Sequence, residues 1–420
     1  MNRPNEIPPP ASLTWPEAGV SRVPLRVYTD QALYEQEQDK IFRGPTWNFV
    51  ALEVELADVG DFKSTFVGDT PVVITRDADG NIHGWVNRCA HRGALICREL
   101  RGNIGEQGTH TCVYHQWAFD PAGDLVGVPF RRGLAGKGGY PEDFDLKDHG
   151  LHKLKVEAFQ GLIFATFDHS LEDVETHIGE TAAHYIKRLF NRPIKLLGVH
   201  RQYMNSNWKV YAENLRDPYH ASLLHLFHCT FGLYRSSQEG GISLDPTFRH
   251  SVLTSKNTGE EAATDEYESD AISTYDQTYT LNDPSLLAGR PEFEDGKSAV
   301  IQTIFPGLVL QQIANTLAVR QVLPKGVGNF ELVWVYFGYI DDDAEMDMIR
   351  LKQFNLIGPA GLVSMEDGEA TELVQQSAWS NPDALECIEM EGLDIKRESS
   401  LLSEGNIRAF WQVYREMLGI

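Results

Sequence analysis

Two short runs place metal-binding side chains at close spacing. NRCAHRGALIC holds Cys89 and His91, and THTCVYHQW holds Cys112 and His115. Each run supplies one thiolate and one imidazole, as C-x-H and C-x-x-H. A lone buried Cys usually behaves as a small hydrophobe. Two Cys/His pairs within 27 residues, each beside Gly-containing turns, make a ligand set instead. Zinc accepts two thiolates and two imidazoles, but the usual zinc finger keeps its Cys in one half and its His in the other. The mixed halves suit a 2Fe–2S cluster in which two thiolates hold one iron and two imidazoles the other. Neutral imidazoles lower the negative charge around such a cluster and raise its potential, so it would carry single electrons. Cys97 lies between the pairs and is read as structural.

A second constellation sits in NWKVYAENLRDPYHASLLH, with Glu213, Asn214, Asp217, His220 and His225. Asp217 and His220 are three apart, so a helix would set them side by side. His220 and His225 are five apart, roughly 140° around a regular helix, which does not serve one metal. The helix is therefore distorted or ends between them, and Pro218, which lacks a backbone donor, favours such a break. Two imidazoles plus one carboxylate form the facial triad of non-haem Fe(II) oxygenases, which leaves positions open for O2. Local spacing does not find the carboxylate; GPAGLVSMEDGEA offers Glu366, Asp367 and Glu369. Iron chemistry of this kind needs an electron source, and the first constellation is one.

The elements that must carry these residues follow from the patterning. In 420 residues, 42% hydrophobic and 23% charged, there is room for two domains and a large core. The N-terminal residues 1–45 read as a Pro-rich stretch and a short helix near 31–42, packing on the larger domain. Residues 46–167 carry short apolar runs separated by turn clusters such as DADGN and DPAGD, the pattern of an antiparallel β-domain. Residues 168–420 begin with a helix reaching Phe190, then a strand over 194–203 and a helix from Asn207. Residues 258–296 hold eleven Asp/Glu against one basic residue, Arg290, and read as a solvated loop. Strands are expected over 298–305, 315–323 and 330–340, and helices over about 342–355, 366–379 and 403–418. The fold class is α+β, with a central antiparallel sheet flanked by helices in the larger domain.

Composition excludes several functions. Sixty acidic side chains against 37 basic ones give a net charge of −23, which opposes binding to nucleic acid or to anionic membranes. The five cysteines are too scattered for a disulfide framework. The N-terminus shows no basic-then-apolar leader, and no apolar run approaches membrane-spanning length, so a cytoplasmic location is expected.

The first constellation resembles the Rieske domain of the aromatic-ring-hydroxylating oxygenases, and the second resembles their catalytic domain. The likeness runs from about Val23 to the C-terminus. It is strongest to the subgroup acting on salicylate, anthranilate, 2-halobenzoate and terephthalate, through PVVITRDADG, CVYHQWAF, YHASLLH, FPGLVLQQI and LIGPAGLVSMEDGE. The 20 residues between His91 and Cys112 exceed the usual spacing, with the surplus in RGNIGEQG, a Gly-rich stretch free to bulge as a loop. The resemblance implies a cluster on Cys89, His91, Cys112 and His115, and one Fe(II) on His220, His225 and Asp367. It places Asn214 at the substrate and gives Asp217 the bridge between His115 of one subunit and His220 of the next. It also implies a small β subunit in an α3β3 assembly, with α3 as the alternative, and electrons from NADH through a reductase and a ferredoxin.

An acid substrate needs a cation in an otherwise apolar pocket, and Arg offers a carboxylate two parallel hydrogen bonds. Arg320, inside the apolar run LAVRQVL, and Arg408, ahead of Phe410-Trp411, are the candidates. The function implied is ring hydroxylation of an aromatic carboxylate, salicylate- or anthranilate-like first, terephthalate or another benzoate second. A zinc-stabilised binding protein and a pure electron carrier are the readings of other classes.

Overall fold

A computed structural model describes residues 13–257 and 264–420, which divide into two compact units. Phe42–His177 form one unit; residues up to Ile41 together with Ile178–Ile420 form the other.

The smaller unit is built on a seven-stranded antiparallel sheet. Its order is Asn48–Leu52, Leu162–Thr166, Lys153–Phe159, Ile82–Val86, Thr70–Arg76, Asp61–Val67 and Arg101–Asn103. A three-stranded sheet of His110–Thr111, Ala118–Phe119 and Leu125–Gly127 completes it. The unit reaches past the expected boundary at 167 because the chain after the last strand stays tied to it. Trp47 Nε1 donates to the Glu172 carbonyl at 3.0 Å and Lys155 Nζ to the Leu171 carbonyl at 2.7 Å. The division falls beside Gly179, whose φ of +73° interrupts the helix Val174–Leu189. RGNIGEQG corrects the loop expectation: Arg101–Asn103 is an edge strand paired with Asp61–Lys63. A Cβ on Gly102 would lie 2.7 Å from the end of the Phe62 ring, which would have to shift to admit it.

The larger unit centres on an eight-stranded antiparallel sheet. Its order is Ile194–Met204, Phe330–Tyr339, Thr316–Pro324, Leu308–Ile313, Ala299–Ile304, Ser251–Lys256, Glu239–Leu244 and Glu398–Ser399. All nine residues of Thr316–Pro324 are buried, as befits an interior strand rich in β-branched and apolar side chains. The four expected strands are present; Leu308–Ile313, Glu239–Leu244, Ser251–Lys256 and Glu398–Ser399 are additional. Helices Ala344–Ile357, Leu362–Ser380 and Gly405–Leu418 occupy the expected places.

The N-terminal helix Gln31–Glu37 is capped by Asp30, whose carboxylate accepts from Leu33 N at 2.9 Å. Glu37 anchors it within the larger unit. Its carboxylate accepts from Lys209 Nζ at 2.6 Å, Trp208 Nε1 at 2.8 Å and Tyr414 Oη at 2.6 Å, all buried. The acidic stretch 258–296 is corrected in part, with 258–263 outside the described residues. Thr264–Ser269 is helical and places Tyr267 in the interior, where its hydroxyl donates to Ser222 Oγ at 2.8 Å. The side chain of Glu292 is likewise enclosed, paired with Arg350.

Candidate metal centres and their pocket

In the smaller unit, the Cys89–His91 loop follows the strand Ile82–Val86, and the Cys112–His115 loop joins two strands of the small sheet. Each is a tight turn: Gly93 N donates to the Cys89 carbonyl at 2.9 Å and Gln116 N to the Cys112 carbonyl at 2.9 Å. Asn87 clamps the return of the first loop. Its Oδ1 accepts from Ile96 N at 2.9 Å and Cys97 N at 3.1 Å, and its Nδ2 donates to the Cys97 carbonyl at 2.7 Å.

The four side chains are sorted by type. Cys89 and Cys112 are buried in the core with Trp85, Trp117 and Phe119, and their thiols lie within hydrogen-bonding reach of each other. The His91 and His115 rings meet at 4.5 Å between centroids, with His91 stacked on Trp117 at 4.8 Å. Burial, then the neighbouring His115 and Arg92, hold His91 below its ordinary pKa, so the imidazole is neutral and able to ligate. His91 Nδ1 is buried and has no hydrogen-bond partner. Among the described residues these four do not converge on one point as a closed single-ion site does. A sulfur pair and a separate imidazole pair fit a two-iron cluster and not one tetrahedral zinc. Cys97 stands apart. Burial, then Glu99, push its thiol up to about 12, and its Sγ lies 3.2 Å from Nδ1 of the buried His110.

In the larger unit the helical run from Asn207 breaks twice. Asn207 caps Trp208–Asn214; the chain leaves helical geometry and restarts at Pro218, with Asp217 as the cap of Pro218–Leu224. Proline suits that first helical position because its missing N–H would be unpaired there anyway. Asp217 Oδ1 accepts from Tyr219 N at 2.9 Å and His220 N at 3.3 Å. His225 closes this helix in an extended conformation, φ −87° and ψ 106°, before Leu226–Thr230 begins. The helix end, rather than its periodicity, turns His225 toward His220.

Asp367, on the helix Leu362–Ser380, completes the group. Its Oδ1 lies 3.4 Å from His220 Nε2 and 3.3 Å from His225 Nε2. Among the described residues this is the one trio of His, Cys, Asp or Glu with ligand atoms all within 4.8 Å of one another. Each imidazole also has a carboxylate behind it: His220 Nδ1 is 3.3 Å from Asp217 Oδ2, and His225 Nδ1 is 2.7 Å from Glu366 Oε2. Such outer partners fix ring orientation and raise ligand basicity. Burial alone would lower His220, but Asp217 and Asp367 lift it to about 10. Burial would raise Asp367, yet His225 and His220 hold it well below the carboxylate range. The site is thus shaped for a cation, and its two-imidazole, one-carboxylate set fits Fe(II).

Asn214, expected at the substrate, donates to Asp367 Oδ1 at 2.9 Å while also lining the cavity beside the trio. That cavity has largely apolar walls, including Leu233, Leu253, Ile301, Ile313 and Val363. Arg320 enters it from the interior strand Thr316–Pro324. Its Nη1 donates to Tyr211 Oη at 2.9 Å, and its guanidinium lies 4.2 Å from the Trp334 ring. The Nε of Arg320 and Nε1 of Trp334 are buried and have no hydrogen-bond partner. Arg408 is corrected: it does not line the cavity. Its Nη1 donates to the carbonyls of Ile388 and Met390 at 3.1 and 3.3 Å, and its Nη2 to that of Asp394 at 3.2 Å. It is a buried brace for the 388–394 chain. Sequence reading missed Glu366 as the partner of His225, having counted it as a rival to Asp367. It missed Trp334 and His228 altogether; Trp334 sits in a run that reads as an ordinary buried strand. Glu369 lies outside the ligand trio.

Two family models match successive parts of the chain. Residues 46–137 match the family model "Rieske [2Fe-2S] domain", and residues 174–420 match "Ring hydroxylating alpha subunit (catalytic domain)". The chain is 50% identical over 406 residues to the large subunit of anthranilate 1,2-dioxygenase from Burkholderia cepacia, covering 96% of this chain and 95% of that one. It is 45% identical over 409 residues to the alpha 2 subunit of the terephthalate 1,2-dioxygenase terminal oxygenase component from Comamonas sp, covering 97% and 98%. A crystal structure of naphthalene 1,2-dioxygenase from Rhodococcus sp. shares the fold, with a TM-score of 0.76 at 20% identity over 94% of each chain. Two segregated ligand pairs in a β-domain, a His-His-Asp trio under an apolar cavity, and these matches together place the chain in the family of Rieske-type ring-hydroxylating oxygenase alpha subunits.

Proposed function

We propose that this chain hydroxylates an aromatic carboxylate, a benzoate of the anthranilate or salicylate kind first and terephthalate second. The observation that carries the reading is Arg320: a buried guanidinium with an unpaired Nε, set in an apolar cavity that also exposes the His-His-Asp trio. Burying such a charge without a carboxylate partner is costly, and an acid substrate supplies that partner. Trp334 Nε1, on the strand paired residue for residue at Arg320, offers a second donor to the same group.

On this reading His220, His225 and Asp367 hold iron, and Cys89, His91, Cys112 and His115 hold the cluster. When bound, these metals supply the activation of O2 with electrons that reach the cluster from NADH through a reductase and ferredoxin. The residues do the rest. Tyr211 accepts from Arg320 and keeps its fork aimed; Leu233, Ile301 and Val363 keep water from the ring; Asn214 holds the Asp367 carboxylate in place. Asp217 stands behind His220, where it can join that ring to the cluster of a neighbouring copy. A small β subunit in an α3β3 assembly, working in the cytoplasm, completes the proposal. Family membership itself makes the chain a terminal oxygenase large subunit that depends on electron-transfer partners.

The experiment is Arg320→Met in the iron-loaded enzyme, with binding of benzoates compared with that of the matching benzamides. Acids are expected to bind about 10–100-fold more weakly, as the loss of charge-assisted hydrogen bonds predicts, with iron content unchanged. Equal losses for acids and amides, or none, would reject the reading.

A further inference from the structure

His228 is a third histidine at this site, and neither the iron trio nor the acid anchor uses it. It lies in the short helix Leu226–Thr230, three residues after His225, and its ring stands 5.0 Å from the His225 ring. The side chain lines the same cavity as Arg320 and Trp334 and is only 4% exposed. Its Nδ1 is buried without a hydrogen-bond partner. Of the neighbouring polar side chains, Tyr234 Oη donates to the Pro218 carbonyl at 3.3 Å, and Asn214 donates to Asp367. Leaving a buried ring nitrogen unpaired is unfavourable, a cost that a ligand atom reaching it removes.

Two features make this a recognition position. His228 comes from the short helix after His225 and Arg320 from the sheet, so two different elements bring side chains with an unpaired buried nitrogen to the wall of one cavity. A benzoate with no further substituent would answer Arg320 and Trp334 and leave His228 unpaired. A benzoate with a second hydrogen-bonding group on the ring can answer both. We propose that His228 is a specificity-determining residue that selects aromatic acids carrying a second polar ring substituent, such as a hydroxyl, an amino group or a second carboxylate. This rests on the assignment of the cavity to an aromatic carboxylate.

The test uses the iron-loaded oxygenase and measures dissociation constants for benzoate, the three hydroxybenzoates, the three aminobenzoates and terephthalate. The native enzyme is expected to bind at least one substituted acid about tenfold more tightly than benzoate, the worth of one buried hydrogen bond. His228→Leu should shrink that preference to less than about threefold while benzoate affinity and iron content stay as they were. His228→Gln, which keeps a polar end, should restore part of the preference and covers the case in which the leucine variant folds poorly. A preference that survives in His228→Leu, or a native enzyme with no preference over benzoate, overturns the assignment. Arg320→Met separates the two readings: it should weaken every acid and leave the ratio between them unchanged. Acid affinity that survives Arg320→Met overturns the carboxylate reading itself.

Discussion

Glu366 and Asp367 are neighbours in sequence with different tasks. Asp367 reaches the Nε2 atoms of both imidazoles, while the longer Glu366 passes behind His225 to its Nδ1 at 2.7 Å. Glu366 Oε1 also accepts from Leu226 N at 3.4 Å, so one carboxylate holds the ring and the chain turn that follows it. Glu366→Ala is expected to weaken iron binding about 10–100-fold, the usual effect of removing such an outer partner. Iron titration of the metal-free protein checks this. Glu366→Gln should lose less, because an amide oxygen still accepts from the ring. Asp217→Ala should also weaken iron binding, and with iron restored to saturation and the cluster in place turnover should still nearly vanish, as metal analysis beside substrate consumption would show.

At the scale of elements, both centres depend on where regular structure stops. The second centre needs the helix to end at His225; a continuous helix would turn that ring roughly 140° away from His220. The cluster centre needs the loop after Ile82–Val86 to fold back on itself, and Asn87 enforces that with three buried hydrogen bonds. Asn87→Ala would leave Ile96 N, Cys97 N and the Cys97 carbonyl unpaired, at a cost of about 2–5 kcal/mol. A lower thermal midpoint together with weakened visible absorbance of the cluster is the expected result. Asn87 precedes Cys89 by two residues, so local sequence could have suggested a clamp; its partners at 96 and 97 became evident only from the folded loop.

For the whole molecule, buried charge is the sensitive feature. Lys209 and Glu37 are both fully buried, and removing one partner from such a pair costs about 3–5 kcal/mol. Glu37→Leu should therefore destabilise the larger unit strongly, while the double variant with Lys209→Met should recover part of the loss. Thermal unfolding of the three proteins measures it. Glu213 gives a pH signature. Burial, joined by the charge of Asp217, raises it from 4.5 to about 7 against the hydrogen bonds with Trp411, Tyr28 and Glu386. The folded state thus holds a proton that the unfolded state releases above about 4.5, so this contribution is full below pH 4.5 and is lost as pH rises to about 7. Glu213→Gln should flatten the stability profile across that window.

What the sequence determined by itself is the chemistry. The type and spacing of Cys89, His91, Cys112 and His115 imply a mixed cluster, because ligand identity is local and short loops can present it. His220 and His225 could be named for the same reason, along with the break that Pro218 permits. The main strands and C-terminal helices were legible because hydrophobic periodicity records which face is buried. The tertiary structure decided everything that joins distant parts of the chain. It brought Asp367 to His220 across 147 residues, set Glu366 behind His225 and turned Arg408 into a brace. It left Arg320, Trp334 and His228 facing one cavity with atoms unpaired. An unpaired buried atom is a property of the packed interior, since it depends on what every neighbouring element fails to supply, and no local pattern of residues encodes that.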